Sequence, residues 1–150
     1  MEFEIVMTDS SNPDFTQLIK ILDQDLSARY GELQKQYDKH NKVDYIKNVV
    51  IAYEGNYPVA CGAYKEYDSS SAEIKRIFVR EEYRNRGLAT RIMNKLEELA
   101  RAGNYKCCIL ETGVKQQEAI GLYQKNGYGL IPNYGPYAGN LNSICMKKFF

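Results

Sequence analysis

The residue types best suited to chemistry in this chain cluster between Lys75 and Arg91, where Lys75, Arg76, Arg80, Arg84, Arg86 and Arg91 face only two acids, Glu81 and Glu82. The 150-residue chain as a whole carries a formal net charge of +1. The positive field is therefore local, which suits a compact anionic ligand and argues against a general nucleic-acid binder. Within it, Arg84-Asn85-Arg86-Gly87-Leu88-Ala89 ends a β-branched, apolar run and opens a helical pattern. The first amides of a helix lack intrahelical acceptors and sit at the positive end of its dipole. The N–H groups from Arg86 to Thr90 thus suit a pyrophosphate. Gly87 permits close backbone approach, and Arg84 and Arg86 supply charge-assisted hydrogen bonds worth about 1.5–3 kcal/mol each. No GxxxxGK[ST] occurs, and no GxGxxG follows a strand, so the other common phosphate motifs are absent. Taken by itself, the turn also suits a plain solvated helix start; its surroundings must decide.

Those surroundings read as strands and helices of one domain. Phe3 to Met7 predicts a strand. Asn12-Pro13 opens a helix carrying Phe15, Leu18, Ile19, Leu22 and Leu26 on one face. Tyr30 to Asp44 is polar and reads as a broken helix or mobile connection. Asn48 to Glu54 and Tyr57 to Tyr64 form a hairpin across Gly55-Asn56, and Ala72 to Val79 adds a third strand after Asp68-Ser69-Ser70-Ser71. These three are expected to form an antiparallel meander. Leu88, Ile92, Leu96 and Leu99 then repeat at helical spacing up to Gly103. A strand from Lys106 to Glu111, a helix from Gln116 to Asn126 and two strands near Tyr128 to Ile131 and Ser143 to Lys148 complete the order. The fold class is α+β (mixed α/β) in one domain, residues 1–150.

Composition narrows the function classes. The apolar share of 44% supports one continuous core. No stretch reaches the ~20 apolar residues of a membrane span, and Met1-Glu2-Phe3-Glu4 does not resemble a signal peptide, so the expectation is a soluble, cytoplasmic protein without a membrane partner. Cys61, Cys107, Cys108 and Cys145 form no CxxC pair, and His40 is the sole histidine, so no metal site is expected and the thiols read as reduced. A cysteine acyl-enzyme would need a base beside an activated thiolate, and nothing pairs His40 with a cysteine. Cys107 and Cys108 alternate across a strand, which makes at least one of them core.

The turn does not stand alone. Arg84 to Ala89 resembles the [QR]-x-x-G-x-[GA] signature of the GNAT superfamily of N-acetyltransferases. The preceding run Ala72-Glu73-Ile74-Lys75-Arg76-Ile77-Phe78-Val79-Arg80-Glu81-Glu82-Tyr83 is similar to the strand and loop before that signature. The run from Glu111 through Leu122-Tyr123 to Gly127-Tyr128 is similar to the next strand, helix and closing element. Together these cover roughly the second half of the chain. The resemblance implies a GNAT-like, mostly antiparallel sheet flanked by helices, acetyl-CoA as acetyl donor, and transfer to a primary amine of a small molecule or peptide in a ternary complex. It implies that the backbone of Ile77, Phe78 and Val79 holds the pantetheine arm, that Arg84, Asn85, Arg86, Gly87, Leu88, Ala89 and Thr90 hold the pyrophosphate, and that a backbone N–H near Phe78 stabilises the oxyanion. Gln116, which stands where many members carry Asn, is the further cofactor-binding residue that the resemblance implies.

By the same resemblance Tyr123 is the general acid for the departing thiolate, with core packing as the alternative use of a helix tyrosine. Glu73 is the general base, with pairing to Lys75 or Arg76 as its alternative. Tyr134 and Tyr137, in the Gly- and Pro-containing tail, border the acceptor pocket or pack in the loop. Asp23, Asp25, Glu32 and Asp38 attract a cationic acceptor or are simply solvated. A homodimer through sheet edges or tail strands is left open. The competing function is a non-catalytic acetyl-CoA-binding sensor or partner subunit, which thiol release distinguishes from an enzyme.

Overall fold

A computed structural model describes residues 2–30 and 45–150. Strand β1 (Glu4–Thr8) leads into helix α1 (Pro13–Tyr30). Pro13 takes the first helical position, where no amide hydrogen is needed, and Asn12 Oδ1 accepts the N–H of Asp14 at 2.9 Å. Strands β2 (Asn48–Glu54) and β3 (Tyr57–Glu66) turn back on each other at Gly55, whose φ of 60° suits a hairpin turn. Strand β4 (Ser71–Val79), helix α2 (Leu88–Ala102), strand β5 (Cys107–Gly113), helix α3 (Gln117–Lys125), strand β6 (Gly129–Ile131) and strand β7 (Ser143–Phe149) follow. The expected segment boundaries hold to within two residues, and Gln116 caps α3 instead of starting it. Most of the polar segment from Tyr30 to Asp44, with Glu32, Asp38 and His40, lies outside the described residues. Among the described residues no helix is long and apolar enough to cross a membrane.

The strands form one seven-stranded sheet in the order β1-β2-β3-β4-β5-β7-β6. Strands β2 to β4 are the expected antiparallel meander, β1 adds an antiparallel edge to it, and among the described strands only β4 and β5 run parallel. Alternation along β2 sends Val49 and Ile51 to one face and Val50 and Ala52 to the other. The first face packs against Phe15, Leu18, Ile19 and Leu22 of α1. The second packs against Leu88, Ile92, Met93, Leu96 and Ala100 of α2. All four cysteines are buried and unpaired. Buried Glu97 of α2 accepts hydrogen bonds from Tyr128 Oη at 2.9 Å and Lys148 Nζ at 2.8 Å, which ties the helix to the C-terminal strands.

A bulge bends β4 against β3. The β3–β4 register steps from Cys61↔Phe78 to Ala63↔Lys75, so β4 carries an extra residue, and Arg76 takes a left-handed φ of 61°. Across that bulge lies Gly62. A Cβ there would stand 2.6 Å from Ile77 Cδ1 and 2.6 Å from Ile92 Cγ2. The bare backbone is what lets Ile77 and α2 close over β3. Gly62→Ala is accordingly expected to lower unfolding free energy by about 1–3 kcal/mol through overpacking, with urea denaturation as the measurement; an unchanged midpoint would mean that this contact yields freely.

Candidate active site

Strand β4 pairs with β5 only from Ser71↔Cys107 to Ile74↔Leu110, after which β4 continues to Val79 and β5 to Gly113 without a shared ladder. The two strands therefore part at the point where β4 is bulged. Arg76 anchors the bulge: its guanidinium meets Asp23 of α1 at 2.8 Å, and its carbonyl accepts a weak hydrogen bond from the Cys61 thiol at 3.4 Å. A non-glycine residue at φ 61° is strained, and these contacts hold it there. Ile77, Phe78 and Val79 follow β3 on one side while their other edge faces the gap.

The gap is occupied by two adjoining cavities. A cleft of about 480 Å³ is lined by Ile77, Phe78 and Val79 of β4, by Arg84, Asn85, Gly87, Leu88, Ala89 and Thr90, and by Gln116 and Tyr123 at the far wall. A smaller chamber of about 80 Å³ lies deeper, beside Glu73, Lys75, Arg76, Glu111 and Tyr137. Leu22, Ile77, Gln116 and Tyr123 line both, so they form the boundary between the two.

The turn at the mouth of the cleft is built from backbone. Asn85 at φ 65° and Gly87 at φ 77° are both left-handed, and such residues turn successive amides toward one concave side. Gly87 caps α2 without any side-chain hydrogen bond, which leaves the first-turn amides of the helix for a ligand. A Cβ at Gly87 would meet nothing within 4 Å, so glycine is required there by conformation and not by space. The turn is braced from behind. Arg84 Nε donates to the Val79 carbonyl at 3.1 Å, Tyr83 Oη donates to Glu54 Oε1 at 2.9 Å, and Arg80 Nε donates to the Pro58 carbonyl at 2.7 Å. Arg86 is the one expected turn residue whose side chain does not line the cleft; its guanidinium lies over the Tyr83 ring at 5.2 Å.

Comparison with known proteins agrees with this geometry. Residues 10–128 match the profile of the Acetyltransferase (GNAT) family. The chain belongs to that family. It is 31% identical over 134 residues to an IAA acetyltransferase of Azospirillum brasilense, covering 88% of each chain. Its fold matches a Klebsiella pneumoniae protein assigned as an acyl-CoA N-acyltransferase, with a TM-score of 0.80, 25% identity and coverage of 98% and 97%. It also matches an Elizabethkingia anophelis GNAT acetyltransferase solved with acetyl-CoA bound, with a TM-score of 0.70, 20% identity and coverage of 99% and 98%. Membership makes the chain an acyltransferase of the N-acetyltransferase type.

In this acetyltransferase the boundary residues have defined partners. The Gln116 side-chain carbonyl accepts from the Gly113 N–H at 3.1 Å and from Thr112 Oγ1 at 3.3 Å, so its oxygen serves the turn from β5 to α3. Tyr123 is buried, and its ring meets Tyr128 edge-on at 6.2 Å. Burial first, and the nearby Glu111 charge second, push its phenol well above the ordinary value, so it remains an O–H donor. Glu73 is buried with both oxygens engaged: Tyr134 Oη donates to Oε2 at 2.7 Å, and Lys75 Nζ lies 3.7 Å from Oε1. Tyr67, Tyr134 and Tyr137 meet edge-to-face in a row along this wall. Asp23 is committed to Arg76, and Asp25 lines the larger cleft.

Glu111 is the chamber residue to which the sequence pattern assigned no role. Its Oε2 accepts from Ser143 Oγ at 2.7 Å. Loss of hydration raises its carboxyl to about 7; the Ser143 hydrogen bond and Lys75 act downward, and the Glu73 charge acts upward. The signal in the sequence was a carboxylate ending the apolar run Cys107-Cys108-Ile109-Leu110, since an acid in a buried strand is either paired or functional. Site-specific carboxyl titration, by labelled-glutamate NMR, is expected to give Glu111 a midpoint of about 7. Ser143→Ala should move it upward, because the lost hydrogen bond favoured the charged form. A midpoint near the ordinary 4.5 in the native chain would contradict the assignment.

Proposed function

We propose that this protein transfers the acetyl group of acetyl-CoA directly to a primary amine of a small molecule or peptide, with Tyr123 serving the leaving thiolate and Glu111 the amine proton. The observation that carries this reading is the meeting of the two cavities at Tyr123 and Ile77. The larger cleft has the anion-binding turn at one end, as a coenzyme A pyrophosphate requires. The smaller has a half-buried carboxyl group, as an amine that must lose a proton requires. A thioester laid along Ile77–Val79 would put its carbonyl carbon at the boundary between them.

The chemistry follows from the charges at that boundary. An alkylammonium, of pKa about 10.4, has no lone pair for attack until a proton leaves. A carboxylate with a pKa of about 7 is matched to that task at neutral pH, whereas an ordinary carboxylate is too weak a base. Attack on the thioester places negative charge on the carbonyl oxygen, where a fixed backbone N–H near Phe78 would stabilise it. The Tyr123 phenol then donates to the sulfur as the C–S bond breaks. Its raised pKa keeps it protonated until that moment, and the same dry surroundings make the thiolate a stronger base than it is in water. Glu73 is the second candidate for the base. Its engagement with Tyr134 and Lys75 favours a role in shaping the chamber around Glu111.

The pH dependence separates the two carboxylates. With Glu111 as base, kcat/KM falls as pH drops through about 7, because the carboxyl takes up a proton and can no longer accept one. Glu111→Gln should remove that limb and lower kcat by roughly 10²–10⁴-fold, while Glu73→Gln should leave the limb in place. The reverse pattern would transfer the role to Glu73. Tyr123→Phe should cost a similar factor in kcat with acetyl-CoA affinity kept; unchanged turnover would remove Tyr123 from the chemistry. A panel of polyamines, amino acids, aminoglycosides and peptides, read by thiol release, tests the activity as a whole, and tight acetyl-CoA binding with no release on any amine would favour a sensor.

The donor site has its own test. Gly87→Ala forces an L-residue into a left-handed conformation at a cost of roughly 1–2 kcal/mol. The free variant relieves that strain by relaxing the turn, and binding must restore it, so titration calorimetry should show coenzyme A affinity about tenfold weaker. Retained affinity would mean that the side chains, and not the turn's backbone, bind the anion.

A further inference from the structure

Lys75 is the only described lysine that lines the acceptor chamber, and Lys125 the only one that lines the larger cleft. The Lys75 side chain is 12% exposed. Its ammonium lies 3.7 Å from Glu73 Oε1, donates to Tyr137 Oη at 3.5 Å and interacts with the Glu111 charge. The groups that would receive and deprotonate an acceptor amine therefore already surround a primary amine of this chain. Burial lowers its pKa below the ordinary lysine value, since the ammonium form loses hydration, although the Glu73 charge acts the other way. A larger share of it is thus the neutral amine with a lone pair. The chamber adjoins the cofactor cleft at Ile77 and Tyr123.

We infer that Lys75 is an internal acetyl acceptor, modified from acetyl-CoA held in the cleft when no external amine fills the chamber. The inference rests on the donor and the roles proposed above. The neutral Nζ attacks the thioester carbon, an N–C bond forms and the C–S bond breaks. The surplus proton on nitrogen passes to Glu111, and the sulfur takes a proton from Tyr123, which regains one from Glu111 through solvent. The products are an Nε-acetyl-lysine and free coenzyme A. The amide does not turn over, so the modification accumulates while donor is present without acceptor. It removes the cation that offsets the charges of Glu73 and Glu111 and slows transfer to external amines. Lys75 thereby makes the enzyme responsive to the ratio of donor to acceptor.

The test uses the full chain incubated with acetyl-CoA labelled in its acetyl group, without added amine, followed by peptide mass spectrometry. Label is expected on Lys75, slowed roughly a hundredfold in Tyr123→Phe, and absent from position 75 in Lys75→Arg. Coenzyme A binding by each variant verifies that its cleft is intact. Lys75 left unlabelled while external amines are acetylated would overturn this inference and leave the proposed function standing. Label spread over exposed lysines at a rate that Tyr123→Phe does not change would also overturn it, because that is solution chemistry. No acetyl transfer to Lys75 or to any amine, with acetyl-CoA bound, would overturn both readings.

Discussion

The parting of β4 from β5 is the constraint on which the rest of this molecule depends. The parallel ladder holds as far as Ile74↔Leu110 and then ends. Beyond it, the outer edge of Ile77 to Val79 faces a gap instead of a neighbouring strand. An unpaired edge inside a sheet costs free energy unless something satisfies it. A ligand that can accept and donate along a strand would satisfy it, and the proposed function gives the gap that use. The bulge at Arg76 and the bare backbone at Gly62 turn the strand at this point, and the Arg76–Asp23 contact ties the turn to α1. The geometry that opens the cleft is thus held from both faces of the sheet.

Withdrawal from water sets the electrostatics of the deeper chamber. It raises Glu111 and lowers Lys75, and it raises the phenols of Tyr123, Tyr134 and Tyr137. Each shift moves a group toward its neutral form, which is the signature of desolvation. Opposite charges limit the effect, because Lys75 holds Glu111 down while Glu73 and Glu111 hold Lys75 up. A chamber of this kind destabilises the fold relative to an apolar filling. Under the proposed function its use is chemical: a carboxyl group with a pKa of about 7 and a protonated phenol beside a reacting carbonyl.

The C-terminal third of the chain builds and braces this chamber. Ser143 of β7 reaches Glu111 on the neighbouring strand, while Tyr134 and Tyr137 approach Glu73 and Lys75 from the tail. Asn133 donates to the carbonyls of Asn140 and Ser143, which closes the loop that carries the two tyrosines. On the opposite face, Glu97 grips Tyr128 and Lys148, and Tyr128 in turn meets the ring of Tyr123. A buried ion pair with its oxygens matched in this way contributes geometry more reliably than stability.

The order of strands and helices, the meander, and the turn from Arg84 to Ala89 that opens α2 were legible in the sequence. All depend on short-range causes: helical and strand periodicity, glycine at turns, and the free amides of a helix start. Tyr123 was legible through family likeness, and the structure puts it at the junction of two cavities. The chamber was decided by tertiary structure alone. Glu73 is captured by Tyr134 sixty-one residues away, and Glu111 gains Ser143 thirty-two residues away. Local pattern sets which face of an element is apolar. Which polar side chains meet across the sheet, and how much water they lose there, is set only when distant strands have paired.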